Sequence, residues 1–328
     1  MLKVFKLDWK HFMIDFVQNP VITCRRVFEI LKTGTSVHKA AQIRSALFAE
    51  NASYAVRYPE EMAYLKKLPA GQIDVVPYPL KGKPIDVTVQ YDQDHELYFV
   101  EHDGKRLYFA GGMSEQDCET CYRSLLEGED IFGRGRVKSP HCYEDIGHRV
   151  NDGDIVMDVG CAEGLFALDV AQRSGRIYLF EQLPRWKRPL ELSFAPYRGK
   201  TQIVNKAVAA RTEGDYIRLT DAIQGGNGDE VYFIKLDIEG WEETVLRASE
   251  DFLRSHKVKI SCCAYHRQND ADDISRFLAG IGFDVRFSEG YMLPPLHKVS
   301  PPYFRKGMIY ARNFKEDGDG KPKGVACG

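Results

Sequence analysis

Three charged residues alternate in the stretch FIKLDIEGWEETVL, residues 233 to 246: Lys235, Asp237 and Glu239. On an extended strand every second side chain shares a face, so Asp237 and Glu239 point the same way, and Lys235 joins them if the strand stays regular. Two neighbouring carboxylates repel, which raises the pKa of one or draws a divalent cation such as Mg2+ between them. His266, in CAYHRQNDADD, ends another predicted strand, and its ordinary pKa of ~6.5 suits proton removal near neutrality. Asp237, Glu239 and His266 are therefore the candidate catalytic residues, and Asp237 and Glu239 the candidate metal ligands. Each also has a plainer reading. Asp237 could bond to backbone N–H groups, Glu239 could serve the first turn of the next helix alongside Glu242 and Glu243, and His266 could precede a helix capped by Asn269 or Asp270. Tyr265 should face away from His266, and Arg267 suits an acidic sugar or a phosphate.

A second constellation sits upstream in VMDVGCAEGLFALDVAQRSGRIYLFE, residues 156 to 181. A buried strand delivers the chain to a loop, Gly160-Cys161-Ala162-Glu163-Gly164, where glycines let backbone N–H groups and a helix start come close to a ligand. Glu181 ends the following strand, where a carboxylate can accept hydrogen bonds from both hydroxyls of a ribose. That role is common to several cofactors, so the loop has to discriminate. Its G-x-x-x-G spacing lacks the G-x-G-x-x-G arrangement made for a pyrophosphate, and Asp158 just before it would repel one while suiting the amino group of a methionine moiety. Taken alone, Gly160 and Gly164 also fit an ordinary strand-to-helix turn.

These residues need a scaffold that brings several strand ends to one edge. From residue 155 onward the pattern supplies it: strands at 155–159, 176–181, 201–206, 231–236, 258–264 and 283–287 alternate with helices at 164–173, 185–194, 240–255 and 271–281. The implied fold is α/β, a doubly wound, mostly parallel Rossmann-like sheet, with GMIYARN as a last strand antiparallel at its edge. The first 67 residues look helical, with Asn19 capping and Pro20 opening a helix that stops at Gly34. Period-two alternation around the Asp103–Gly104 turn then marks a small β element. The glycine-rich, charged stretch 127–140 reads as a boundary or mobile segment. Three regions follow: an N-terminal α+β extension over 1–135 with an acceptor or partner role, an α/β domain over 136–314, and a disordered tail over 315–328. The segment 288–306, rich in proline and aromatics, is long enough to wall a substrate pocket with part of the N-terminal region.

VMDVGCAEG, YLFE and above all the K-x-D-x-E-G-x-E run of FIKLDIEGWEETVL resemble the FkbM-type S-adenosylmethionine-dependent methyltransferases, over roughly residues 139 to 312. SPHCY upstream and CAYHR at 263–267 are in the same style. The resemblance implies that S-adenosylmethionine contacts Asp158, Gly160, Cys161, Ala162, Glu163, Gly164 and Glu181, with Asn205, Ala207 and Val208 lying against it. It also implies that His141 and Tyr143 fold over the cofactor; Ser139 and Pro140 beside them also suit a helix start. The implied reaction is O-methylation of sugars or other hydroxylated metabolites, as in polysaccharide or secondary-metabolite pathways. A nicotinamide-dependent sugar-modifying enzyme and a cofactor-binding scaffold without turnover are the alternatives.

Composition narrows the partners. Lysine and arginine number 45 against 47 acidic residues, a formal charge of −2, so no basic field favours nucleic acid, and a small-molecule or glycan acceptor is expected. No apolar run reaches the ~18 residues of a membrane span, and the first residues lack a signal-peptide core, so a cytoplasmic location is expected. The eight cysteines are scattered, as suits reduced thiols. Cys118 and Cys121 with His141 and Cys142 have a zinc-like spacing, yet adjacent His and Cys are awkward on one tetrahedral ion, and coincidence explains them better. The oligomeric state is not written in these residues.

Overall fold

The computed structural model describes residues 35–49, 51–223, 230–294 and 301–315. The helix expected from Asn19 to Gly34 and the tail beyond Lys315 lie outside the described residues. Helices α1 (Thr35–Ala49), α2 (Asn51–Arg57) and α3 (Pro59–Lys67) lead into an antiparallel sheet of β1 (Val89–Asp92), β2 (Leu97–His102) and β3 (Lys105–Tyr108). The β2–β3 turn puts Asp103 at φ 47° and Gly104 at φ 75°, the double left-handed turn that an Asp-Gly pair favours. Helix α4 (Glu115–Arg123) starts at a capping box made by Ser114 and Asp117. Cys118 on this helix packs into the core, while His141 turns to Cys263 and Asp237, so the zinc-like spacing gathers no ligand set.

Among the described residues, seven strands form the main sheet in the order β11-β12-β10-β9-β4-β5-β6. The parallel part comprises β4 (Ile155–Val159), β5 (Arg176–Phe180), β6 (Thr201–Val204), β9 (Val231–Leu236) and β10 (Lys257–Cys263). Between β6 and β9, a short parallel pair joins β7 (Ala207–Val208) to β8 (Tyr216–Ile217). Strand β12 (Met308–Arg312) runs antiparallel, but between β10 and β11 (Asp284–Phe287) rather than at the edge where the sequence put it. The reason is burial. Met308 through Ala311 are covered on both faces, whereas β11 alternates exposed Asp284 and Arg286 with half-buried residues and tolerates an open edge.

Alternate residues of the central strands feed two cores. Val156, Leu179 and Phe233 face one; Ile155, Met157, Tyr178 and Ile234 face the other. The first core is continuous with Val100 and Leu107 of the small sheet, with Phe109 just after it, with Phe166 and Leu168 of α5 (Leu165–Val170) and with Leu190 of α6 (Lys187–Ser193). The second is closed by α7 (Glu242–Ala248), α8 (Glu250–Ser255) and α9 (Asp270–Gly280). The helix expected over 240–255 is thus broken at Ser249, whose hydroxyl donates to the Val245 carbonyl at 2.9 Å.

The stretch 127–140, expected to be a boundary or mobile, is instead fastened. Asp130 accepts from Gly135 N at 2.9 Å and Arg136 N at 2.8 Å, and the buried Arg136 guanidinium donates to the Val76 and Tyr78 carbonyls. Its glycines and charges serve an internal turn. From the 288–306 segment, Tyr291, Leu293 and Phe304 pack on Ile43, Leu47, Tyr58 and Met62 of the N-terminal helices. Residues 295–300 of that segment lie outside the described residues.

Candidate active site

The glycine loop, Glu181, Asp237 and His266 meet at the carboxyl edge of β4, β5, β9 and β10. After β4 the chain turns tightly. Gly160 takes φ 77°, and a Cβ there would lie 2.1 Å from the Asp237 carbonyl oxygen, so the glycine loop and the end of β9 touch backbone to backbone. Ala162 follows at φ 48°, a left-handed conformation uncommon outside glycine, and Gly164 stands at the start of α5. The loop is held by Glu181, 3% exposed, whose carboxylate accepts from Ala162 N at 3.0 Å and Leu183 N at 2.7 Å. Burial pushes the Glu181 carboxyl above its usual range against the pull of those two N–H groups. Asn205 donates to the Glu181 carbonyl at 2.7 Å, which ties the end of β6 to the same corner; Ala207 and Val208 continue from there as half-buried β7.

Asp158 lies beneath this loop rather than in it. It is 1% exposed and pairs with Lys235 on the adjacent strand at 3.0 Å, while Lys235 also donates to the Gly160 carbonyl at 2.8 Å. Burial pushes Asp158 up, and Lys235 opposes it; the Lys235 ammonium is itself lifted because Asp158 and Asp237 outweigh its own burial. Cys161 and Glu163 are likewise buried, and burial drives the Cys161 thiol far above its ordinary pKa.

Asp237 is the hub. Tyr143 donates to its Oδ2 at 2.7 Å, His141 Nε2 lies 3.8 Å from Oδ2, and His266 Nε2 lies 3.4 Å from Oδ1. Burial pushes its carboxyl up, but Lys235, His266, His141 and the Tyr143 hydroxyl together hold it at about 2. The repulsion expected to raise one carboxyl is thus overcome by surrounding cations. Strand β9 ends at Leu236, so Glu239 is not on a regular strand; it turns at φ 57° and brings its carboxylate 3.8 Å from His266 Nε2. Burial pulls His266 down, but Glu242, Glu239 and Asp237 outweigh it and lift the imidazole to about 10. At neutral pH this histidine is an imidazolium.

Residues 202–285 match the family model described as the methyltransferase FkbM domain. The matched span runs from β6 into β11 and includes Lys235, Asp237, Glu239 and His266. No curated protein matches the chain. Solved structures similar to it include methyltransferase FkbM from Methylobacillus flagellatus KT, at 19% identity and a TM-score of 0.39, covering 50% of this chain and 44% of that one. A precorrin-6y C5,15-methyltransferase from Geobacter metallireducens GS-15 has 17% identity and a TM-score of 0.33, covering 50% and 80%. An rRNA methylase from Streptococcus thermophilus has 15% identity and a TM-score of 0.33, covering 51% and 90%.

Sequence reasoning missed two supports of this site. Glu242, read as a first-turn acid, is fully buried; it accepts from Ile238 N at 2.8 Å and fixes His266 Nδ1 at 2.9 Å. The signal was present, since Glu242 shares the inward face of α7 with Val245 and Leu246. The other is the wall behind His141: Cys263 Sγ at 3.4 Å and the Tyr265 hydroxyl at 3.3 Å from its Nε2; β10 ends at Cys263, so strand alternation does not reach Tyr265, whose ring lies against His266 with centroids 4.3 Å apart instead of facing away. Full burial lowers His141 to about 4 and leaves it neutral.

Proposed function

We propose that the chain is an S-adenosylmethionine-dependent O-methyltransferase acting on a hydroxyl of a sugar or related metabolite. The observation that carries this reading is the buried Glu181 carboxylate hydrogen-bonded to the glycine loop at Ala162, a loop braced from below by the Asp158–Lys235 pair. The residues present fit the cofactor: Glu181 would take the ribose hydroxyls, the Gly160–Gly164 backbone the methionine end, and the Asn205–Val208 segment would lie against it. Asp158 is read as supporting the loop through Lys235 rather than touching the ligand. When bound, S-adenosylmethionine supplies an electrophilic methyl group on its sulfonium.

Methyl transfer is an in-line displacement, so the protein's task is to hold an oxygen ~3 Å from the methyl carbon and accept its proton. Asp237, ionised and fixed by Tyr143, would take the acceptor hydroxyl's hydrogen bond and proton. His266 already holds a proton, so its part is to keep Asp237 ionised and oriented. A divalent cation such as Mg2+ on Asp237 and Glu239 is the second form of the reading, although the ligand atoms lying within 4.8 Å of one another are those of Asp237, Glu242 and His266, a set with Glu242 in place of Glu239. It would displace the His266 proton. The N-terminal region and the 288–306 segment are read as enclosing the acceptor, supported by Arg305 donating to the Tyr265 carbonyl at 3.0 Å. The charge balance favours a small acceptor over nucleic acid.

The test is isothermal titration with S-adenosylmethionine, S-adenosylhomocysteine and NAD+, with and without Mg2+, on the unaltered chain and on Glu181→Ala and Glu181→Gln. Micromolar adenosyl-ligand binding that falls at least ~100-fold in both variants is expected, as two charge-assisted hydrogen bonds would be lost. Binding of NAD+ alone would sink the reading.

A further inference from the structure

Trp186 is fully buried, whereas Trp241 is 58% exposed although it follows directly on the Asp237–Gly240 turn. A large aromatic left open beside reactive groups has a surface to offer. Arg267, next in sequence to His266, is exposed and lies over this indole, its guanidinium carbon 5.7 Å from the ring centroid. Among the described residues no carboxylate stands within ion-pair distance of that guanidinium. Gly240 sits at φ 94°, a backbone conformation that favours glycine, and a Cβ there would press on Arg267 at 3.0 Å from Nε and 3.2 Å from Cγ, so the glycine leaves the arginine room to lie across the turn to the tryptophan.

An open indole covers the C–H face of a sugar ring, and a planar guanidinium with no acid partner takes a carboxylate or phosphate through paired hydrogen bonds. Resting on the methyltransferase reading above, we infer that Trp241 and Arg267 form an acceptor subsite for a negatively charged sugar, stacking its ring and anchoring its anion beside Asp237. A carboxylate and a phosphate offer the same oxygen geometry, so the two sources are separated by the test.

Saturation-transfer NMR on the full chain with S-adenosylhomocysteine present would compare glucose, glucuronate and glucose 6-phosphate. At least one anionic sugar should bind ~10-fold or more tightly than glucose, and which one does names the anion. Trp241→Ala should weaken that binding ~10-fold, and Arg267→Gln should abolish the preference over glucose, both with unchanged melting temperature. Equal or absent binding of the three sugars, a preference that survives Arg267→Gln, or indifference to Trp241→Ala each overturns the inference. S-adenosylhomocysteine titration of the same samples reads the methyltransferase proposal separately: retained adenosyl binding without anion preference removes the subsite alone.

Discussion

His141 and His266 approach the two oxygens of one carboxylate, at 3.8 Å and 3.4 Å, yet the first sits at about 4 and the second at about 10. Both lose hydration. On the inner side His141 faces the Cys263 thiol and the Tyr265 hydroxyl, while Lys235 and His266 repel any charge it would carry. On the outer side three carboxylates converge on His266 and reverse the effect of burial. The lesson is that burial sets the cost of a charge, and the count of opposite charges in reach decides whether the cost is met. Asp237 thus lies between a buried side that leaves His141 neutral and a partly open side that charges His266.

The sharpest way to break this contrast is to remove the inner side's cation. Lys235→Met would strand Asp158, and a loss of ~3–5 kcal/mol in denaturant-induced unfolding is expected; a loss under ~1 kcal/mol would mean that Asp158 is protonated. Next, the two histidines should bound stability on opposite sides of neutrality. His141 is held below its unfolded pKa of ~6.5, so the unfolded chain gains a proton first and stability falls between pH 6.5 and about 4, by roughly 3 kcal/mol. Buried His148, at about 3, adds in the same direction. His266 is held above its unfolded value, so its contribution is full below pH 6.5 and drains away as pH rises through about 10. Unfolding curves at stepped pH would show both limbs, with His141→Gln flattening the acid limb and His266→Gln the alkaline one; a shared response to either variant would refute the division. The smallest effects grade the outer side. Glu242→Gln should lower the His266 titration midpoint by at least ~1 unit in NMR, and Glu239→Gln by less, because Glu239 is 44% exposed and screened.

Much of this could be read from residue order. Alternation of apolar runs with helical periods gave the parallel sheet, and the acid–glycine loop and Glu181 were placed correctly at its carboxyl edge. What could not be read depended on neighbours distant in sequence. The pairing of Asp158 with Lys235 was not foreseen because the register that sets them opposite each other appears only when β4 and β9 pair. His266 looked like a base poised near neutrality because the three carboxylates that meet it, two from the turn after β9 and one from the helix that follows, could not be summed along the chain. The position of β12 was missed because a short apolar strand reads alike at an edge and between two partners.

That insertion has a consequence for how the molecule is made. Strand β10 emerges from the ribosome well before β12, and its free flank is not covered by β11, which among the described residues pairs only with β12. Until synthesis has passed Arg312, the nascent chain carries an apolar flank with unsatisfied amides, where chaperone capture or intermolecular strand addition would compete with completion.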